Sequence, residues 1–177
     1  MPRYAVLLKG INVGGKKKLA MADLRVLLAE LGFTDVATYL QSGNAVVSSP
    51  DAPEAVAERV EGAIRERLGM QVSCLVRTGE QLRTVIDNHP LADVADNGSW
   101  MFALFLSDVP DAALLAEHDP RGLAPGEVHL GDRVVYHWCP RGPLEAPDVS
   151  GFLERRLKVT VTGRNWNTVN KLAGMLA

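Results

Sequence analysis

The order of hydrophobic periods in the first 78 residues constrains the fold more than any other feature of this sequence. Apolar runs typical of buried strands alternate with segments whose apolar residues recur at helical spacing. Pro53 opens the second helical segment, and Ser42-Gly43 predicts a tight turn between two short strands. This order, strand-helix-strand-strand-helix-strand, is that of a ferredoxin-like unit. The predicted strands are 3–9, 35–41, 44–49 and 71–77, and the predicted helices are 21–31 and 53–68.

The second half of the chain repeats this order less regularly. We therefore predict an α+β fold of two ferredoxin-like βαββαβ units in tandem, with antiparallel sheets and an extra C-terminal helix. Residues 1–78 form the first unit, 79–99 a connecting helix and loop, and 100–177 the second unit with the terminal helix. The predicted strands here are 100–106, 127–130, 133–139 and an edge strand at 159–162, and the predicted helices are 80–88, 111–118, 150–157 and 166–176.

Composition narrows the class of protein. The 177 residues carry a net charge of −2, which argues against a protein that coats nucleic acid. Cys74 and Cys139 are far apart and lack a C-x-x-C pattern, so we expect two buried free thiols rather than a disulfide or a zinc site. The sequence has neither a signal-peptide pattern nor an apolar run of the ~18 residues needed to span a membrane. These features predict a cytoplasmic protein without membrane partners.

A glycine- and lysine-rich segment, residues 9–18, follows the first predicted strand. It matches most of the phosphate-binding pattern G-x-x-x-x-G-K, but Lys17 stands where that pattern needs a Ser or Thr to hold Mg²⁺. The glycine spacing also excludes the dinucleotide-binding pattern G-x-G-x-x-G. Glycine amides beside lysines can still bind an anion. We interpret this segment as a site for a phosphate or carboxylate, the alternative being a solvated loop whose lysines serve solubility.

Topology places this segment beside a second polar turn. The first two strands of a ferredoxin-like unit run parallel, so the end of the first and the turn after the second meet at one edge of the sheet. We therefore expect residues 10–18 and 41–44 to form a pocket. The predicted ligand-binding residues in these two segments are Gly10, Asn12, Gly14, Gly15, Lys16, Gln41, Ser42, Gly43 and Asn44.

A second polar cluster lies at residues 163–168. Arg164 and Trp166 offer planar hydrogen bonding and a stacking surface, and we expect Arg164 to close the pocket. The alternative is structural: Asn165 or Asn167 caps the final helix, and Trp166 anchors that helix to the core. Arg164, Asn165 and Trp166 are therefore further ligand-binding candidates, of which Arg164 is the hardest to explain structurally.

No catalytic residue can be assigned from the sequence. His129 and His137 lie in one predicted hairpin, where pairing about 131–132 sets residue 129 opposite 134 and directs the two histidines to opposite faces. This arrangement argues against a shared metal. Neither a G-x-S-x-G nor an H-E-x-x-H pattern occurs. We predict no metal and no cofactor, and whether the protein is an enzyme stays open.

Three sequence segments resemble the signature segments of the DUF1697 family, a bacterial family of domains of unknown function. They are LKGINVGG at 8–15, TYLQSGN at 38–44 and RNWNT at 164–168, and the resemblance spans the whole chain. It implies an α+β fold with ferredoxin-like units and places all the candidate residues except Lys16 within family motifs. It carries over no catalytic residue, because no activity is established for the family. Ala20 departs from the Pro expected in many relatives, which affects only the start of the first helix.

Our first functional hypothesis is therefore a cytoplasmic protein that binds a small anionic, phosphate- or carboxylate-bearing ligand. The alternative is a non-catalytic domain that self-associates or binds another protein. A third hypothesis is an RNA-binding ferredoxin-like domain, which is disfavoured because Tyr4 is the only aromatic residue on strands 3–9 and 44–49. The sequence predicts no oligomeric state.

Overall fold

The computed structural model describes all 177 residues and contains eight strands and six α-helices. The strands are β1 (Arg3–Leu8), β2 (Thr34–Tyr39), β3 (Asn44–Ser48), β4 (Cys74–Thr78), β5 (Met101–Leu106), β6 (Val128–Gly131), β7 (Val134–Trp138) and β8 (Val161–Asn165). The helices are α1 (Met21–Glu30), α2 (Pro53–Leu68), α3 (Gly79–Asp87), α4 (Ala112–Glu117), α5 (Val149–Leu157) and α6 (Trp166–Leu176), with 3₁₀ turns at Pro120–Leu123 and Pro143–Glu145.

The first compact unit comprises Met1–Leu82 and Leu172–Ala177. Its four-stranded antiparallel sheet has the order β2-β3-β1-β4, with β1 between β3 and β4. Alternate residues of β1, namely Tyr4, Val6 and Leu8, belong to a core formed with the apolar faces of α1 and α2. Helix α2 begins at Pro53 and ends before Gly69 (φ +65°), the start and stop signals that the sequence predicts.

The second compact unit comprises Arg83–Lys171. Its antiparallel sheet has the order β6-β7-β5-β8, in which β8 is an edge strand. Leu104 of β5 pairs with Val135 of β7, and both belong to a core completed by Leu153 of α5. Phe102 pairs with His137 on this same face of the sheet. The fold is thus mixed α+β, as predicted, with two four-stranded antiparallel sheets and six helices. No helix is long and apolar enough to cross a membrane.

The turn between β2 and β3 is wider than predicted. Tyr39 pairs with Asn44, so residues 40–43 form a four-residue loop instead of a two-residue Ser42-Gly43 turn. The Asn44 side chain donates to the Tyr39 carbonyl oxygen at 2.9 Å and bridges the base of this loop. Leu40 adopts a φ of +59°, a conformation that the periodicity of the sequence does not reveal.

The second hairpin also differs from its predicted register. Gly131 pairs with Val134 and His129 with Tyr136, so the turn is centred on 132–133 and not on 131–132. Arg133 has a φ of +55° and its guanidinium donates to the Ser107 carbonyl oxygen at 3.0 Å, which stabilises the shifted turn. The predicted register was wrong. The two histidines nevertheless lie on opposite faces, because the shift is an even number of residues.

The last strand lies further along the chain than predicted. Strand β8 spans Val161–Asn165 where 159–162 was predicted, because its ladder with β5 extends from Val161 to Asn165. The Thr160 amide instead donates to the Ser107 hydroxyl at 2.9 Å. The segment that suggested the strand, residues 159–162, therefore overlaps only the first two residues of β8.

Candidate functional site

The glycine- and lysine-rich segment folds as a miniature hairpin, which we call the Gly14-Gly15 hairpin (Val13–Lys16). Val13 and Lys16 form an antiparallel bridge, and the Lys16 amide donates to the Val13 carbonyl oxygen at 3.1 Å. The two glycines at the tip have φ values of +58° and +75°, which is the backbone signature of a type I′ turn. The segment is therefore an ordered turn that presents its tip to solvent.

Asn12 holds this hairpin in place. Its backbone adopts φ +56°, and its side-chain amide donates to the carbonyl oxygens of Leu19 at 2.8 Å and Gln41 at 2.7 Å. Its side-chain oxygen accepts the Leu19 N–H at 2.8 Å. These three hydrogen bonds use most of the capacity of the amide. Asn12 is thus committed to the internal structure of the loop and not to a ligand.

The loop at 40–43 is fixed against the same region. The Gly43 carbonyl oxygen accepts the Leu8 N–H at 2.9 Å. A Cβ atom at residue 43 would lie 2.9 Å from both the Leu8 Cβ and the Ile11 Cδ1, and φ is +95°, so only glycine fits. Asn44 is fully buried, and its side chain also donates to the Ser42 hydroxyl at 3.0 Å. Gly43 and Asn44 therefore shape the loop from within.

The predicted proximity of the two segments is confirmed by the Asn12–Gln41 and Leu8–Gly43 hydrogen bonds. The residues that this arrangement leaves exposed to solvent include the predicted contacts Gly14, Gly15, Lys16, Gln41 and Ser42, together with Lys17, Lys18 and the apolar Val13 and Leu40. Lys16 and Lys18 have no carboxylate partner, whereas the Lys17 ammonium donates to the Gln71 carbonyl oxygen at 2.6 Å. The exposed surface is consequently basic and built on a rigid backbone.

The segment lacks the strand-loop-helix geometry of a P-loop. Residues 17–20 separate the hairpin from α1, and Ala20, the residue before the helix, provides no side-chain cap. Backbone amides at the start of α1 are thus not continuous with the glycine turn. The arrangement cannot wrap a chain of phosphates as a P-loop does, although single anionic groups can approach the tip.

The candidates from the C-terminal motif belong to the second unit. Arg164 is buried on β8 and donates to the Thr162 hydroxyl and the Gly163 carbonyl oxygen, both at 2.9 Å. Asn165 accepts the Thr168 N–H at 3.0 Å, which is the N-cap bond expected for the start of α6. The structural alternative for Asn165 is thus confirmed.

Trp166 lies in an aromatic cluster of the second unit. Its ring is 4.4 Å from that of His89 and 6.2 Å from that of Tyr136. The Tyr136 hydroxyl donates to the Val85 carbonyl oxygen at 2.8 Å, and burial raises its pKa to about 12. This cluster anchors the beginning of α6, as the structural alternative for Trp166 expects.

A cleft in the second unit, beside β5 and β7, has no functional signal in the sequence. His137, a buried residue of β7, forms part of its wall. Cys139 also lines the cleft, and it is one of two buried free thiols, as predicted; burial raises its pKa to about 11. No group of three or more His, Cys, Asp or Glu residues is arranged to hold a metal ion. Only the tertiary contacts of His137 distinguish it from an ordinary core histidine.

The α+β architecture of two antiparallel sheets defines the class of protein, and comparison with known proteins defines the family. The family described as "Protein of unknown function (DUF1697)" matches residues 1–136, and the chain belongs to this family. A solved structure, that of the conserved bacterial protein SP0830 from Streptococcus pneumoniae, is similar with a TM-score of 0.74 and 25% sequence identity over 99% of each chain. No curated protein matches the sequence.

Proposed function

We propose that this protein binds a small anionic ligand at the exposed face of the Gly14-Gly15 hairpin and the 40–43 loop. The observation that supports this proposal is a pair of exposed lysines, Lys16 and Lys18, that no carboxylate neutralises, on a turn already fixed by Asn12. A preformed turn loses little conformational freedom when it binds, so even a small ligand gains affinity. Phosphate and carboxylate are the groups that such a surface recognises.

The roles divide between contact and support. Gly14, Gly15 and Lys16 provide the ligand contacts, together with the exposed polar groups of Gln41 and Ser42. Asn12, Gly43 and Asn44 hold the two loops in register, and Gly10 supplies the left-handed backbone conformation (φ +69°) after β1. The strand orders β2-β3-β1-β4 and β6-β7-β5-β8 also support two ferredoxin-like units in tandem, with the predicted boundaries 1–78 and 100–177 as the repeated segments.

A second candidate function, binding to another protein or to a second copy, is favoured by two exposed apolar side chains. Val13 is 65% exposed and Leu40 is 54% exposed. Each directly precedes a residue of the proposed contact surface in the sequence, Gly14 and Gln41 respectively. Isolated exposed apolar residues are common, so the pair alone does not define an interface. If Leu40→Ser weakens a concentration-dependent dimer in sedimentation velocity, this second function replaces the first.

Thermal shift with pyrophosphate, inorganic phosphate and citrate tests the anion proposal. A ligand at one hundred times its Kd adds about 2.7 kcal/mol of stability. We expect at least one anion to raise the Tm of the wild type, and the double change Lys16→Gln/Lys18→Gln to abolish that rise. Arg156→Gln, which removes an exposed cation of the second unit, is the matched control and should respond like the wild type.

A sodium chloride control distinguishes specific anion binding from general screening of the protein's charges. Sodium chloride at the same ionic strength should not reproduce the Tm rise, because screening does not depend on the shape of the anion. The proposal is wrong if no anion stabilises the wild type beyond sodium chloride, or if the double variant and the control respond equally.

A further inference from the structure

A cleft of about 260 Å³ lies in the second unit, between the sheet and the segment that leads into α5. For comparison, an apolar cavity of ~150 Å³ holds a benzene molecule. Most of the lining residues are apolar, and one of them, Phe102, carries a phenyl ring. We call it the His137 cleft; its lining residues are Phe102, Leu104, His137, Cys139, Pro143, Ala146, Pro147, Asp148, Val149 and Ser150.

His137 has unused hydrogen-bonding capacity in this cleft. The residue is only 6% exposed, and neither ring nitrogen has a hydrogen-bond partner; Nε2 has no contact with solvent either. Buried polar groups are nearly always paired, because burial without a partner costs free energy. The χ2 torsion of histidine is soft, so the ring can turn a nitrogen towards a bound molecule without a backbone change. An unpaired histidine in the wall of a cleft points to a missing partner.

The carboxylates around the cleft disfavour the binding of an anionic molecule. Asp148 lines it, and the Glu127 carboxylate lies close enough to act on His137; Glu127 and Glu145 line the smaller cavity that adjoins it, where Arg141 is the one cation. Asp148 is already engaged, since its carboxylate accepts the Gly151 N–H at 3.0 Å as the N-cap of α5. Burial lowers the pKa of His137, which keeps the imidazole neutral at pH 7.5.

Covalent chemistry is disfavoured at Cys139. A thiol whose pKa is about 11 is protonated at neutral pH and is a poor nucleophile. The cleft is therefore better suited to binding a molecule than to reacting with it. Phe102, the cross-strand neighbour of His137, offers a ring against which a flat molecule can pack.

We propose that the His137 cleft binds a small uncharged aromatic molecule with one hydroxyl or N–H group, which forms a hydrogen bond with His137 while its ring packs against Phe102 and the prolines. This site lies within the second unit and does not depend on the anion-binding proposal.

Probes with the same ring and different polar groups test this proposal. Phenol, toluene, benzoate and benzylamine differ at pH 7.5 in hydrogen bonding and charge but share one aromatic ring. Titrations followed by the ring signals of the histidines in NMR spectra report binding at each histidine. We expect phenol to shift the His137 signals saturably, and to bind about tenfold more tightly than toluene, which corresponds to ~1.4 kcal/mol. Both charged probes should bind more weakly than phenol.

Two substitutions at His137 separate its hydrogen bond from its packing. His137→Phe should lower the phenol affinity about tenfold and leave the toluene affinity unchanged, as followed by the signals of Phe102. His137→Gln keeps a polar group and should retain part of the preference for phenol. His129→Phe, on the opposite face of the same sheet, is the control and should bind phenol like the wild type.

The outcomes are distinct. If phenol causes no saturable shift at His137, the proposal is wrong. It is also wrong if toluene binds as well as phenol, if benzoate or benzylamine binds more tightly, or if His137→Phe keeps the preference for phenol. A failed pyrophosphate titration at the Gly14-Gly15 hairpin has no bearing on any of these results.

Discussion

The Gly14-Gly15 hairpin and the His137 cleft differ in whether their polar side chains are hydrogen-bonded. In the first unit, Asn12 makes three hydrogen bonds and Asn44 bridges its own loop, so the most conspicuous polar residues of the motif are used internally. In the second unit, His137 is buried and makes no side-chain hydrogen bond. Motif residues can thus specify a loop, while binding capacity lies where a polar group is left unpaired.

Substituting Gly43 gives the strongest test of the idea that the supporting residues of the first region have a structural role. Gly43→Ala would place a Cβ 2.9 Å from atoms of Leu8 and Ile11 at a φ of +95°. We expect a loss of about 3 kcal/mol, from backbone strain and overpacking together. For a chain of this length that corresponds to a Tm lower by roughly 6–12 °C in calorimetry.

The matched control for this change is Gly14→Ala. Its φ of +58° strains an alanine, but no atom lies within 4 Å of the added methyl group. We expect a loss of about 1 kcal/mol. Equal losses at the two positions would mean that close packing at Gly43 is unimportant, and the 40–43 loop would then be available to change shape around a ligand.

Removing the Asn12 side chain should have the next largest effect. Asn12→Ala deletes three hydrogen bonds and leaves the amide of the buried Leu19 without its acceptor. We expect a loss of about 2 kcal/mol in urea unfolding, with an unchanged m-value. The exposed Asn170 of α6 is the control, and Asn170→Ala should change stability by less than about 0.5 kcal/mol.

Hydrogen exchange gives this prediction a local readout. The Leu19 amide should exchange faster in Asn12→Ala, whereas amides in the second unit should keep their protection. A variant that is as stable as the wild type would contradict the structural role of Asn12 and return it to the candidates for ligand contact.

Much of the first unit could be predicted because its signals are local. Pro53 and Gly69 bound α2 as expected, since both act through their own backbone conformation. The proximity of the two loops followed from the parallel direction of β1 and β2, which requires no knowledge of side chains. The position of the Gly14-Gly15 hairpin relative to 40–43 was therefore within reach of the sequence.

Whether an individual side chain is free to bind a ligand could not be predicted from the sequence. Asn12 looked like a ligand residue because nothing local reveals that its amide bonds residues 19 and 41. His137 looked like any strand histidine, because its surroundings are formed by Phe102 and by a distant segment that begins at Pro143. Neither is adjacent to it in the sequence, so its lack of a hydrogen-bond partner could not be seen. Hydrogen-bond satisfaction is a property of tertiary neighbours, and periodicity carries no information about it.

Replacing His137 has the smallest expected effect on stability and tests the other half of the contrast. His137→Phe exchanges an unpaired imidazole for an apolar ring, so we expect no loss at pH 7.5 and a gain of up to about 1 kcal/mol. A loss of about 2 kcal/mol or more in urea unfolding would show that the imidazole has a structural partner, and would remove the basis of the contrast.

The pH dependence of stability provides a second test with the same substitution, His137→Phe. Burial lowers the pKa of His137 in the folded protein, an effect that the Glu127 carboxylate partly offsets. The unfolded chain then binds a proton more readily, so the wild type should lose stability as pH falls from the ordinary histidine pKa of about 6.5 towards the lower folded value. One histidine contributes at most about 1.4 kcal/mol per pH unit. Unfolding titrations between neutral and mildly acidic pH should therefore be flatter for His137→Phe than for the wild type. An unchanged slope in His137→Phe would mean that this ring is free to take up a proton in the folded state, which an unpaired histidine in an apolar wall is not.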